Sequence, residues 1–450
     1  MTYRHFKIEK KYYLDLSASD KKVLKILEEV VKDVDVVYQK QLKDGFYPKN
    51  VGKNELEKAS RKNPEIFSPF TYVSNLDNQF IPIPYHELYA KYLIPITKKI
   101  RIAAKICENR SFQKYLLARA KSLLDGSYRE ADIAWLSVKN SKIDFSIGPF
   151  ERYLDKTFLI KRVFQAHVGI INQRLTKLAE QFKETLYSSA KISDSKYHST
   201  NIPRKGVNVL IEPTPAISGY AADVLFGGEH FPCDLYLALE HGSKSIFYQS
   251  QLKYKFDKLY YPIFKNIFEK RFASKYSKEL LLEAAGWTNL LYELGKQLHK
   301  FEGGRERLKE LYGPIDEANG FASGIEHSKH LVVKGIISQE QLEAIMISHI
   351  LWMFADWVFY LKNLHKESHV IGNSILLNSY LLSGALKVSK GISWPNFSRI
   401  FFEIEALSYQ LVNLLQKGTY KEAKEFVQKN ADLKSFEVLG KSLRSIDVNI

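Results

Sequence analysis

The chain has 450 residues, 45% of them hydrophobic, and carries 66 Lys and Arg against 50 Asp and Glu, a formal net charge of +16. That length holds two or three core-bearing lobes, and that apolar content excludes a disordered chain. The basic residues are spread without a long run, and no RNA-binding signature or Cys/His finger is present, so the charge reads as a Lys-rich solvated surface and nucleic acid is not an expected partner.

The N-terminal stretch MTYRHFKIEKKYYLDL lacks the apolar centre of a signal peptide. No run reaches the ~18 apolar residues of a membrane span. A soluble, cytoplasmic protein is expected, specialised secretion aside. Cys107 and Cys233 are too few for a disulfide framework and fit a reduced compartment. Residues 17–42 carry apolar side chains at helical spacing behind a Ser/Asp start signal, and helical patterns recur at 86–124 and 155–190. From 191 to 250 the texture changes. KGVNVLIEP (205–213), FPCDLYLALE (231–240) and KSIFYQS (244–250) are short, β-prone and bounded by Gly and Pro. From 251 to 430 the helical period returns almost unbroken. Helices, then strands, then helices predict an α+β protein, predominantly helical.

Five segments in this order carry a resemblance. The stretch 127–158 ends in Gly148-Pro149-x-Glu151-x-Tyr153-x-Asp155. The stretch 231–263 begins FPCDLYLALE. WTNLLYELGKQLHKF (287–301) places Tyr292, Glu293 and Lys296 on one predicted helix. DEANGFASG (316–324) contains Glu317. ESHVIGNSILLNSYLLSGAL (367–386) contains His369 and Asn373. Together, over residues 5–435, the chain resembles the dipeptidyl-peptidase III family of zinc peptidases.

The resemblance implies two lobes flanking a wide cleft. One, 1–170 with 205–255, would hold a small β-barrel-like core. The other, 171–204 with 256–450, would be mainly helical and would be the zinc lobe. It implies that Glu151 holds a substrate's free amino terminus, that Tyr153 hydrogen-bonds near the scissile carbonyl, and that Asp155 and Asn373 belong to the substrate-binding set. Where the family has a pair of substrate-binding Asn, this chain has His230 and Cys233. His369 matches a catalytic-site His. The family's zinc sits on two His one helical turn apart, with a Glu between them as general base and a distant carboxylate as third ligand. Here those positions are Tyr292, Lys296, Glu293 and Glu317, so both imidazoles are gone and the general-base and carboxylate positions remain.

A lone carboxylate is a poor zinc site, so no metal cofactor is expected there. Lys296 is expected to replace the metal's charge by pairing with Glu317 and with Glu293. A relocated zinc on Glu317, His327 and His330 is the alternative, although one straight helix would separate residues 317 and 327 by about 15 Å. Cys233 with His230 or His241 reads as a chance nucleophile–base pair. No Gly-x-Ser-x-Gly elbow, P-loop or dinucleotide fingerprint is present. The expected function is a catalytically altered or inactive member binding a peptide or protein segment in the cleft. The competing reading is a hydrolase with a relocated metal or metal-independent chemistry.

Overall fold

The computed structural model describes residues 2–77, 79–193, 207–232, 234–299, 301, 303–361, 367–388, 391–392, 394–444 and 446. It divides into two compact units, Met1–Gln173 with Arg204–Gln251, and Arg174–Pro203 with Leu252–Ile450.

The first unit is built on helix α1 (Ala18–Asp44). Its start signal is a capping box, in which the Ser17 side chain accepts from the Asp20 N–H while the Asp20 carboxylate accepts from the Ser17 N–H. Its apolar stripe, including Val23, Leu27, Val30, Val34 and Val37, is buried. The stripe packs over a four-stranded sheet of β1 (Arg4–His5), β4 (Ile143–Glu151), β5 (Val163–Ile170) and β7 (Ala216–Gly219), in the order β1-β7-β5-β4. The hairpin β2 (Thr71–Leu76) and β3 (Gln79–Pro84) forms a second sheet. The third is β6 (Val207–Glu212), β8 (Gly228–Phe231) and β9 (Ser243–Tyr248), with β9 central, parallel to β6 and antiparallel to β8. Helices α2 (Ala90–Ile106) and α3 (Arg110–Asp125) share out the helical pattern of 86–124, and α4 (Tyr128–Leu136) follows. The break falls where Asn109 Oδ1 accepts from the Phe112 N–H at 2.9 Å.

Three expectations are corrected. The helical reading of 155–190 holds only from Gln173, where helix α5 (Gln173–Ser193) begins, because 163–170 is strand β5. In β5, Phe164, Ala166, Val168 and Ile170 alternate with Gln165, His167 and Gly169, and the whole strand is buried, so the usual outward polar signature is missing. Second, 231–240 is strand only at its start. Asp234 caps a short helix, Leu235–His241, by accepting from the Leu237 N–H at 3.0 Å. Third, the described strands form open sheets and not a closed barrel.

The second unit is helical. Helices α6 (Lys278–Leu298), α8 (Gln339–Leu361), α9 (Glu367–Leu382) and α10 (Phe397–Lys417) surround α7 (Tyr312–Val333), which is largely buried. Helix α8 is long and apolar enough to cross a membrane by length and composition, contrary to the expectation that no run would be. Since 78% of its apolar window is buried inside the protein, its surface is spent on core packing.

Candidate functional site

Three glycines determine how closely the site helices approach. A Cβ on Gly295 of α6 would collide with the backbone of Gly320 and Gly324 on α7, and one on Gly324 would collide with the Leu291 carbonyl. The two helices therefore touch backbone to backbone, which only small residues permit. On the other flank, a Cβ on Gly372 of α9 would lie 2.7 Å from the Pro314 carbonyl and 3.1 Å from Glu317 Cβ. Both close approaches converge on the first turns of α7, which carry Asp316 and Glu317.

Tyr292 and Lys296 lie one turn apart on α6 and face that point. The Lys296 ammonium donates to Glu317 Oε1 at 2.8 Å and lies 3.4 Å from Asp316 Oδ2. The Tyr292 hydroxyl donates to Glu317 Oε2 and accepts from Lys296 Nζ at 3.3 Å. His369 of α9 brings Nδ1 to 3.0 Å from the same Oε2, within ion-pair range. The Tyr292 ring packs on Phe321 and Trp352, with centroids 4.5 and 5.5 Å away. One carboxylate on α7 thus gathers an ammonium and a phenol from α6 and an imidazole from α9. Glu293 is half-buried on the same helix, and its charge helps to hold Lys296 protonated.

The charges at this point settle one another. Burial alone would raise the Glu317 carboxyl, but His369 and Lys296 outweigh it and hold the group well below the usual carboxylate range. Burial alone would lower Lys296, but Glu317, Tyr292, Asp316 and Glu293 outweigh it and hold the ammonium well above its ordinary value. Burial, then Glu317, pushes the Tyr292 phenol far up, so it acts as a donor.

In the first unit, Glu151 ends β4 at a bulge between Pro149 and Glu151 that re-aims it. Burial raises its pKa to about 7, with Arg162 and Arg152 opposing. Tyr153 is 60% exposed and stacks on Tyr220. Asp155 has a different place from the substrate contact expected of it. It is 1% exposed and accepts the backbone N–H groups of Thr157, Phe158, Ile160 and Lys161 and the Tyr47 hydroxyl. Its lone pairs are spent holding its own loop. His230 Nδ1 meets Ser245 Oγ at 2.8 Å, and Cys233 lies outside the described residues. Asn373 is 1% exposed and donates to Asp356 Oδ2 at 3.1 Å, so it sits inside the helical core in place of an expected contact to substrate.

The relocated set of Glu317, His327 and His330 does not form a cluster. Among the described residues, the three-residue group with ligand atoms within 4.8 Å of one another is Asp144, His167 and Glu212, in the first unit. His327, pushed down to about 3 first by burial and then by His299, is a neutral core imidazole. Sequence reasoning missed Asp316, whose neighbour drew the attention, and it missed the Asp144 group altogether. The available signal for the latter was the alternation IDFSI and FQAHVGI, which puts Asp144, Ser146 and His167 on one face of paired strands.

Two solved structures superpose on almost the whole chain. DPP III from Caldithrix abyssi covers 99% of this chain and 96% of its own, with a TM-score of 0.85 at 22% identity. Dipeptidyl-peptidase III from Corallococcus sp. strain EGB covers 99% and 94%, with a TM-score of 0.77 at 20% identity. The chain has a dipeptidyl-peptidase III-like fold. No protein-family model matches it. A protein named Nudix hydrolase 3, from Arabidopsis thaliana, is 24% identical over 390 residues, which are 84% of this chain and 49% of that protein. The chain spans about half the length of this curated relative.

Proposed function

We propose that this chain is a catalytically altered or inactive dipeptidyl-peptidase III-like protein that binds a peptide or protein segment through its free amino terminus at Glu151. The observation that carries the reading is the 2.8 Å contact between Lys296 Nζ and Glu317 Oε1, on the helix that the resemblance assigns to zinc. An ammonium one turn beyond Tyr292 stands where the second metal-binding imidazole would stand. Zinc at this point would have no nitrogen ligand from Tyr292 or Lys296 and would meet a resident cation. Glu293 then has no metal-bound water to activate, and the His369 imidazole is turned to Glu317. The Nudix activity in the Arabidopsis relative's name is not carried over, since about half of that protein lies outside the match.

Glu151 supports the binding role because a partly buried carboxylate is a natural partner for an α-ammonium. The sign of the pH effect follows from its raised pKa. Glu151 is neutral below about 7 and ionised above it, whereas a peptide amino group loses its charge above about 8. Affinity for a free-amino peptide is therefore expected to rise as pH approaches 7 and to fall above about 8. The same raised pKa makes ionised Glu151 a cost to the unliganded fold. Glu151 thus favours stability most below the ordinary value of 4.5 and loses that contribution as pH rises through about 7.

The test is calorimetry of a panel of short peptides, free or N-acetylated, together with a dipeptidyl-naphthylamide hydrolysis assay with added zinc or chelator. Binding without turnover is expected. Glu151→Gln or acetylation should each weaken binding by about 1.5–3 kcal/mol and flatten the acid limb of the pH profile. Equal affinity for free and acetylated peptides would remove the amino-terminus role. Turnover abolished by chelator would contradict the reading, and chelator-insensitive turnover would favour metal-independent hydrolysis.

A further inference from the structure

The buried polar layer of the first unit contains a charge that its neighbours leave unsettled. Glu212, at the end of β6, is fully buried, and neither of its carboxylate oxygens has a hydrogen-bond partner. It reaches over the four-stranded sheet at Gly169, where a Cβ would collide with its carboxyl group. Beside Gly169, His167 points to the same face, and its Nε2 lies 3.2 Å from Glu212 Oε1 and 3.3 Å from Asp144 Oδ2. One ring proton on Nε2 cannot serve both carboxylates.

We infer that Asp144, His167 and Glu212 form a structural binding site for one divalent transition metal, with zinc the ion that best fits the donor set. Three observations support it. Zinc binds imidazole nitrogen and carboxylate oxygen at about 2.0–2.2 Å, so tetrahedral ligands stand about 3.3–3.5 Å apart, close to the two separations measured here. The other face of the imidazole is already held, with Nδ1 2.8 Å from Ser146 Oγ and 3.2 Å from the Tyr248 hydroxyl, which leaves Nε2 as the ligand atom. Asp144 is oriented in turn by the Trp135 indole N–H at 3.0 Å through its other oxygen.

The surrounding charges are compatible with the ion. Lys244 lies 4.0 Å from Asp144 Oδ1 and donates to the Trp135 carbonyl at 2.6 Å, while Tyr248 and Gln165 are turned to Glu229. Two carboxylates and a neutral imidazole cancel a dication. A pocket bounded by Trp135 and Ser146 reaches two of the groups that hold the ligands. All three ligand residues are buried in the first unit.

The test is elemental analysis of the full chain, purified without chelator and again after incubation with zinc and desalting. About one zinc per chain is expected. His330→Gln, which removes a half-buried surface imidazole, should keep it, and Glu212→Gln, isosteric with the neutral acid, should lose at least about tenfold in zinc affinity. Replacement of zinc by cobalt should give a visible absorption in the wild-type chain that Glu212→Gln weakens. Less than about 0.1 equivalent of metal in the wild type after zinc incubation would overturn the site in favour of a proton-held network. Stoichiometric zinc retained by folded Glu212→Gln would overturn it as well. If Glu212→Gln does not fold, the wild-type metal content and cobalt spectrum decide.

Discussion

Lys296→Met is expected to destabilise the second unit by about 3 kcal/mol, at the low end of what removing one partner of a buried pair costs. The Lys296 side chain is 21% exposed and that of Glu317 13%, so water reaches the site only in part. Without Lys296, the Glu317 and Asp316 carboxylates lose the cation they share, and Tyr292 and His369 are the remaining groups on Glu317. One carboxylate must then take up a proton or draw in water. The double change of Lys296 to Met and Glu317 to Gln should recover part of the loss, because it removes the stranded charge with its partner. A double-mutant cycle in urea measures this, and strictly additive single effects would mean that the ammonium is solvated. The pH window follows from the shifts. The depressed Glu317 keeps its contribution above its ordinary 4.5 and loses it as pH falls through its lower folded value. The raised Lys296 keeps its contribution below 10.5 and loses it only as pH rises through its higher folded value.

Gly324→Ala and Gly295→Ala are each expected to cost about 3 kcal/mol or more, the upper range for overpacking. At both positions a Cβ would meet backbone atoms of the facing helix, which no rotamer change can move aside. Separating α6 from α7 would also draw Lys296 away from Glu317, so these variants should lose part of the ion pair as well as the packing. The two changes act on one contact, so their combination should cost less than their sum. Gly286→Ala, on the same helix α6, is the control. Its Cβ would approach only the Leu252 side chain, at 3.3 Å, and the better helix former should leave stability unchanged or raise it by up to about 1 kcal/mol. Urea midpoints test the series, and a cost below about 1 kcal/mol at Gly324 would mean that the helix contact yields easily.

The parts of this fold with strong local signals were legible in the chain. The Ser17–Asp20 capping box marks α1, and the apolar period from 251 to 430 marks the helices of the second unit. Strand β6 stands between Gly206 and Pro213, and β9 follows Gly242. What failed was burial on both sides. In β5 every residue is inside, so FQAHVGI offers neither an exposed face nor a turn to separate it from the helix that follows. The Asp234 cap inside 231–240 was available and was outweighed by the apolar run around it. At the site, the direction of Lys296 followed from its place one turn beyond Tyr292. The nearness of α7 did not, since it depends on Gly295, Gly320 and Gly324 meeting across two helices. The alternation of β4 and β5 puts Asp144 and His167 on one face, but Glu212 comes from a strand of another sheet, and no local pattern announces its arrival there.

Anomalous diffraction at the zinc edge, on crystals grown with excess zinc, decides whether Lys296 stands in for a metal at Glu317. The expected result is no metal peak within bonding distance of Glu317 and the Lys296 amine in hydrogen-bond contact with that carboxylate. A metal peak about 2.0–2.2 Å from a Glu317 oxygen, with the Lys296 side chain swung aside, would contradict it.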